Sequence, residues 1–386
     1  MNQSAADLLP EPTGQYAVGR RSYDLVDPTR TEIYAANRKD RRELVVFVWY
    51  PAEPESATDF APYLPQAWAP VAEFLGINVA GLSSHAVPDA AVATDDSAYP
   101  VLLLSPSGFP PLLLSAIAEE LASHGFVVVG VNHTYETAVT VFADGRVVPT
   151  NPAAIAGALG AQTGSHEDVF RQRAAVCEYK TADLASIANQ LERLNSDPAE
   201  PLAGRLDFGR FGALGHSFGG DAALEWCRAD PRCRAAVNLD GALWSDVGRV
   251  GLARPTLQVL AEHAEFAITA EDAVKAGAAP NADWFEAEKA ITFGGWRTVQ
   301  QCAQPGYTVQ ISGATHVSFM DVPFLPVTDT SIVKPAVQAT KIEPQRMWRI
   351  TCALLLAFFA RHLCDAAAPL LDGLADQYPE LTIGPP

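Results

Sequence analysis

The stretch "RFGALGHSFGG", residues 210–220, decides how the chain is read. Its first half is an apolar run of strand length; its second half sets a histidine, a serine and a phenylalanine among glycines. Gly215-His216-Ser217-Phe218-Gly219 is a GxSxG pattern that follows a predicted strand and opens a predicted helix, the context in which a serine is presented on a sharp strand-to-helix turn. That turn forces the serine into a strained backbone conformation, and flanking glycines let strand and helix approach without Cβ clashes. The helix start offers backbone N–H groups to a developing oxyanion. Ser217 is the candidate nucleophile.

Other apolar runs rich in Val, Leu, Ile and Phe recur at 43–51, 99–106, 126–133, 235–241, 255–262 and 307–313. Helical patterns lie between several of them, at 111–124, 166–194 and 218–229. Strands that alternate with helices and lack a polar face imply a mostly parallel sheet covered on both sides, so the expected fold class is α/β. The first hundred residues read as antiparallel strands at the start of that sheet. "VTVFADGRVVP" (139–149) sets Asp-Gly between two alternating runs and reads as a surface hairpin. Residues 263–305 turn helical and aromatic, with Phe266, Trp284, Phe285, Phe293 and Trp296, and are expected to form a lid-like insertion roofing the carboxyl edge. No linker, repeat or low-complexity tract divides the chain. It reads as a single domain, 1–386, with 1–13 as a flexible N-terminus.

With 27 Lys and Arg against 45 Asp and Glu, the formal charge is −18 and the pI about 4.8. The cations are scattered singly or in pairs such as Arg20-Arg21 and Arg41-Arg42, which argues against a nucleic-acid partner and a polybasic membrane patch. The apolar run "CALLLAFFA" (352–360) is far short of the ~20 residues of a membrane span. No transmembrane segment is expected, and the run reads as a buried helix face. "MNQSAADLLPEPTGQYAVG" (1–19) has neither the basic nor the apolar region of a secretory signal, which predicts a cytoplasmic protein. A mature secreted form that had gained a new Met would read the same way.

Six cysteines, 177, 227, 233, 302, 352 and 364, show no CxxC pair and no Cys/His metal spacing, so no metal is expected. In "WCRADPRCR" a helix end folding back onto a strand start would bring Cys227 and Cys233 into disulfide range. Buried free thiols are the alternative.

A serine is inert at neutral pH without a base and an orienting acid. Both should follow it in the chain, acid first, which disfavours His85, His124, His133, His166 and His216. His216 should point away from its neighbour Ser217. His133 ends a strand at the active edge, where it either borders the pocket or is structural. Among the later histidines, His362 falls in a C-terminal helix and His263 just after a strand. His316, in "ISGATHVSFMD" (311–321), is a loop residue directly after the strand "YTVQIS" and can reach over the edge to Ser217. Two residues can supply the acid: Asp240, ending "AAVNLDG", and Glu262, ending "PTLQVLAE". Asp321 reads as a loop cap.

The motifs "RELVVFVWYPA", "LASHGFVVVGVNH", "GHSFGG", "AVNLDGALW" and "GATHVSFMD", closed by "IEPQRMWRITCALLLAFFARHL", resemble bacterial relatives of the plasma platelet-activating factor acetylhydrolases. More loosely they resemble actinobacterial lipases and polyester hydrolases. The likeness runs from about residue 14 to 364. It implies an α/β-hydrolase fold and places the acid in the "LDG" motif, at Asp240, with Glu262 as the alternative. It also implies an oxyanion hole made by the backbone N–H of Phe218 and one from the loop after "VLLLSP". That loop reads "SPSGFPP" rather than the family's His-Gly form, so the second donor is Phe109 or Gly108, with Phe109 preferred.

The expected activity is therefore that of a serine carboxylic ester hydrolase with no cofactor, acting on a small ester or lipid. By resemblance its substrates are short or truncated acyl esters, extending to phospholipids of the platelet-activating factor type. Gly108, His133, Trp244, Trp284, Phe285 and Trp296 are expected to border the pocket. An amidase, an acyltransferase or a polyester or lipase-type hydrolase would use the same triad. A non-catalytic binding protein of this fold would be expected to lack a triad member, and here each has a candidate.

Overall fold

A computed structural model describes residues 8–385 except 38, 55–59, 96–97, 160–164 and 374–376. Among the described residues, twelve strands run in the order β1 (Ala17–Thr31), β2 (Arg41–Ala52), β3 (Ala86–Pro88), β4 (Tyr99–Ser105), β5 (Val127–Asn132), β6 (Val139–Val141), β7 (Val147–Pro149), β8 (Leu206–His216), β9 (Cys233–Leu239), β10 (Thr256–Leu260), β11 (Gly306–Ile311) and β12 (Leu381–Ile383). Ten of them form one sheet in the order β12-β11-β10-β9-β8-β4-β5-β2-β1-β3. Its centre, from β11 to β5, is parallel, whereas β2 pairs antiparallel with both β5 and β1. This is the α/β class expected, with the antiparallel strands where the first hundred residues place them. β6 and β7 pair as a hairpin around Asp144-Gly145.

The helices are α1 (Ala69–Leu75), α2 (Ser115–Ser123), α3 (Pro152–Leu159), α4 (His166–Ser196), α5 (Phe218–Ala229), α6 (Val247–Val250), α7 (Ala270–Lys275), α8 (Ala282–Cys302), α9 (Lys334–Ala339), α10 (Pro344–Cys364) and α11 (Pro369–Asp372). Side chains alternate across the sheet with the strand period of two. Thus Leu102 and Leu104 of β4 pack on one side with α2 and α10, while Val101 and Leu103 pack on the other with α4, α5 and α8. Both faces are dry, which is why the strands read as unbroken apolar runs.

α10 is 21 residues, longer than its most apolar run, and by length and composition could cross a membrane. Here Ile350, Leu354, Leu355, Phe358 and Phe359 are buried against the sheet, so it is a core helix. At the amino end, 1–7 lie outside the described residues, but 8–13 are not the loose tail expected. Leu9 is buried, and Thr13 donates its N–H to Glu120 Oε2 at 2.7 Å and its hydroxyl to Oε1 at 2.6 Å. Residues 263–305 are likewise more than a roof. α8 is the crossover from β10 to β11, and its carboxyl half buries Trp296 and Val299 in the core under the sheet. Only α7 and the amino half of α8 form a separate small cluster, around Ala273, Ala279 and Phe285.

Candidate active site

β8 brings His216 to the carboxyl edge of the sheet, and α5 leaves directly after Ser217. Ser217 holds φ 59° and ψ −130°, outside the relaxed regions for an L-residue. Two glycines make that turn fit. A Cβ on Gly215 would lie 2.0 Å from the Gly219 carbonyl oxygen, and one on Gly219 would lie 1.9 Å from that of Ser105. Ser217 N–H donates to Leu239 O at 3.0 Å, and Gly220 N–H donates to Ser217 O at 2.8 Å. The neighbouring strand end and the helix start therefore both hold the serine's backbone in place.

Asp240, one residue past β9, has φ 56° and an inaccessible side chain. His316 Nδ1 donates to its Oδ2 at 2.7 Å. Its Oδ1 accepts from Ala261 N–H at 2.7 Å and from His263 Nε2 at 2.8 Å. Burial works against the charge on Asp240, but the hydrogen bonds from His263 and His316 prevail and hold its carboxyl well below the usual carboxylate range. The His316 side chain is half exposed and lines the same cavity as Ser217. No hydrogen bond joins the two in this structure. Such bonds are often loose in ligand-free enzymes and tighten when substrate binds.

Glu262 sits elsewhere than the acid position considered for it. It is exposed, and its Oε2 accepts from Gly313 N–H at 2.7 Å. It ties down the loop that carries His316 and does not touch the imidazole. His216 points away from the serine and donates Nε2–H to the His316 carbonyl at 2.8 Å, with the two rings 4.5 Å apart. Burial pushes the His216 pKa down to about 3, so it braces His316 as a neutral ring. Asp321 is a buried cap on the first turn of α2, accepting from Ala116 N–H at 3.3 Å and from Tyr63 OH at 3.0 Å.

His133 is not a pocket residue. It is fully buried, with Nδ1 donating to Asp183 Oδ2 at 2.8 Å and Nε2 accepting from Ser105 Oγ at 2.9 Å. This is a Ser-His-Asp string with no access to solvent. Its carboxylates are neutralised from behind: Arg42 meets Asp183 at 2.5 Å and Glu32 at 2.8 Å, and Lys180 meets Glu136 at 2.8 Å. The donor atoms of His133, Glu136 and Asp183 lie within 4.8 Å of one another, but these two cations fill the role a metal would take. Lys180 also donates to Ser107 O at 3.1 Å, anchoring the loop after β4. Arg42→Met is expected to cost about 3–5 kcal/mol of stability by stranding buried carboxylates, measured by urea unfolding.

The cavity at Ser217 is about 320 Å³, and its apolar wall is Trp244, Phe266, Trp296 and Phe218, with Arg173 and Glu288 paired at 2.6 Å on one side. Trp244 and Trp296 line this cavity. Trp284 and Phe285 do not. Trp284 packs against His166 at 4.9 Å, and Phe285 belongs to the small cluster with Phe266. Phe285 meets the wall residue Phe266 with ring centroids 5.8 Å apart but does not itself line the cavity. Gly108 and Phe109 also lie off the cavity wall, Phe109 half-buried against the core. A larger groove of about 880 Å³, beside α1, contains none of the candidate catalytic side chains.

Cys227 and Cys233 are free and buried rather than bridged: the Cys227 thiol points at the Cys233 carbonyl, 3.7 Å away. The site residue that sequence reasoning passed over is His263. A histidine one position beyond Glu262, at the end of the strand next to β9, was its signal. Arg173 and Glu288, from α4 and α8, had none.

Residues 1–369 match the family model described as platelet-activating factor acetylhydrolase, isoform II. A probable 1-alkyl-2-acetylglycerophosphocholine esterase of Arthroderma benhamiae is 29% identical over 266 residues, 64% of this chain and 62% of that protein. A platelet-activating factor acetylhydrolase of Cavia porcellus is 34% identical over 153 residues, 37% of this chain and 35% of that protein. The matched part thus spans less than two thirds of either relative. Among solved structures, a ferulic acid esterase from Streptomyces cinnamoneus matches with a TM-score of 0.75 and 27% identity, over 97% of this chain and 98% of that one. The α/β-hydrolase topology read from the sheet order is thus shared with an esterase along nearly its whole length. With the family model covering all but the last residues, the chain belongs to the platelet-activating factor acetylhydrolase, isoform II, family.

Proposed function

We propose that the protein hydrolyses carboxylic esters of short or truncated acyl groups, including acetyl esters of the platelet-activating factor type, through Ser217, His316 and Asp240. The observation that carries this reading is the 2.7 Å bond from His316 Nδ1 to buried Asp240, on the wall of the cavity that Ser217 lines. A carboxylate can only accept, so Nδ1 carries the proton and Nε2 is left as the base. In acylation, Ser217 Oγ attacks the ester carbonyl carbon while its proton passes to His316 Nε2, and the carbonyl oxygen becomes an oxyanion. The oxyanion then collapses, the ester C–O bond breaks, and His316 returns the proton to the leaving alcohol. Water repeats the sequence on the acyl-enzyme, releasing the acid and restoring the serine. Phe218 N–H, the first of α5, makes no hydrogen bond among the described residues and belongs to a cavity-lining residue, so it is the first candidate oxyanion donor; the Gly108 and Phe109 N–H groups are equally unbonded but lie off the cavity wall.

A cavity of about 320 Å³ is at the small end for ligand sites, which favours a short acyl group. The Trp244, Phe266 and Trp296 wall supports a second reading, an aromatic acyl group, in keeping with the name of the Streptomyces esterase. A panel of p-nitrophenyl esters from acetyl to decanoyl, a feruloyl ester, matched anilides and an acetylated glycerophospholipid in vesicles tests both. The expected result is ester hydrolysis that falls with chain length and exceeds anilide hydrolysis. Hydrolysis of anilides in preference to esters would overturn it.

Half-buried Phe266 can be removed with less damage than buried Trp296. Phe266→Ala should raise KM for butyryl and longer esters by roughly fivefold relative to acetyl, since each lost methylene contact is worth about 0.8 kcal/mol. Trp284→Ala should leave KM unchanged for every chain length.

A further inference from the structure

We infer that His263 is a positioning residue for this site: it fixes the Asp240 carboxylate between two histidines and offsets part of the negative charge that His316 meets. The inference rests on the ester-hydrolase reading above. Its basis is geometric. Asp240 presents one oxygen to each ring, Oδ2 to His316 at 2.7 Å and Oδ1 to His263 at 2.8 Å. The far nitrogen of His263, Nδ1, meets Glu265 Oε1 at 2.7 Å. Ionised carboxylates accept only, so with one on each side both ring nitrogens carry protons and the ring is an imidazolium. Burial opposes that charge, but Asp240 and Glu265 outweigh it and raise the His263 pKa to about 10. The ring is also wedged in place, 4.9 Å from Trp296 and 6.2 Å from Phe266.

The charged groups around the two rings are few. His263 faces Asp240 after β9 and Glu265 in its own loop; Arg173 and Glu288, paired with each other, share the cavity wall. Lys289 of α8 is occupied by the Phe266 carbonyl at 2.9 Å. His316 faces Asp240 and the neutral His216. A cationic His263 therefore does two things. Together with Ala261 N–H it stops the Asp240 carboxylate from rotating off His316, and it weakens the pull of Asp240 on the proton that His316 must accept and then release. A carboxylate left with only the neutral Ala261 N–H beside His316 would hold that proton longer and leave less free base at mildly acidic pH.

The test compares His263→Phe, which keeps a ring against Trp296 and removes both hydrogen bonds, with His263→Gln, whose amide can still donate to Asp240 but carries no charge. Each is assayed on p-nitrophenyl acetate across pH, alongside wild type and Ser217→Ala, with thermal melting as a control. His263→Phe is expected to lose roughly tenfold in kcat with little change in KM. Its kcat/KM profile should have an acid limb displaced upward by on the order of one pH unit. His263→Gln should recover most of kcat while keeping the displaced limb, separating orientation from charge. If both variants keep the wild-type acid limb, or lose activity only in step with melting temperature, His263 is merely structural and the inference falls. Equal activity in wild type and Ser217→Ala would instead overturn the ester-hydrolase reading.

Discussion

Ser217→Ala is expected to lose on the order of 10⁵-fold or more in kcat on p-nitrophenyl acetate while folding normally. The expectation rests on two features of the turn. Only Ser217 presents a hydroxyl at the junction of β8 and α5, and its backbone bonds to Leu239 and Gly220 involve N–H and C=O groups that alanine retains. Gly215 and Gly219 leave the packing of the turn unchanged, since the clashes they avoid are with backbone atoms. Some rate above the uncatalysed reaction should persist, because oxyanion donors and the cavity survive the substitution. Far-UV circular dichroism and melting temperature serve as the fold check. A variant that keeps more than a tenth of the wild-type kcat would place the nucleophile elsewhere.

Asp240→Asn should lower kcat by about 10⁴-fold, with KM affected far less. An asparagine amide group can donate to His316 Nδ1, which leaves the ring in the wrong tautomer, with its proton on Nε2 where the base lone pair is needed. The same change removes the charge that stabilises the imidazolium during proton transfer. It also loosens Ala261 N–H and His263, so a modest loss of stability should accompany it. Glu262→Gln is the matched control. Among the described residues its carboxylate meets only Gly313 N–H, a bond that an amide oxygen can keep, so kcat should stay within a few-fold of wild type. A large loss in Glu262→Gln with a small one in Asp240→Asn would reverse the two roles.

The elbow and the strand pattern were legible because they rest on local rules. Glycines at 215 and 219 are needed by a turn only five residues long, and a strand buried on both faces must be apolar throughout. The choice of His316 as candidate base rests on chain order and on its place in a loop after β11. Position alone does not choose between the two candidate acids, because Asp240 and Glu262 both end strands at the same edge. What separates them is backbone direction: Asp240, at φ 56°, turns its carboxylate under His316, whereas Glu262 reaches outward to the loop. The short edge strands β3 and β12, three residues each, leave no periodic trace in sequence.

The misplaced residues have two physical causes, contact between segments far apart in the chain and the phase of one helix. His133 looked like a pocket residue because it ends a strand at the active edge, but Asp183 of α4 and the Arg42 and Lys180 cations behind it draw it into the interior. Trp284 and Trp296 lie on one helix, and its phase separates them. The buried positions Phe285, Thr292, Gly295, Trp296 and Val299 define the inward face of α8, from which Trp284 is turned away. Phe285 shares that face but packs against Phe266, ring centroids 5.8 Å apart, in the small cluster rather than on the cavity wall. His263 needed the register of β9 against β10, which puts Leu239 beside Val259 and so brings the two strand ends, with Asp240 and the loop after Leu260, together.

The central claim, a covalent acyl-enzyme on Ser217, is tested most directly by trapping. The protein is mixed with a p-nitrophenyl ester, quenched in acid within milliseconds and digested for mass spectrometry, in parallel with a fluorophosphonate-labelled sample. The account predicts one acyl adduct and one phosphonyl adduct, both on the peptide containing Ser217 and both absent from Ser217→Ala. Adducts on another serine, or turnover of the ester with no adduct on Ser217 in either sample, would contradict it.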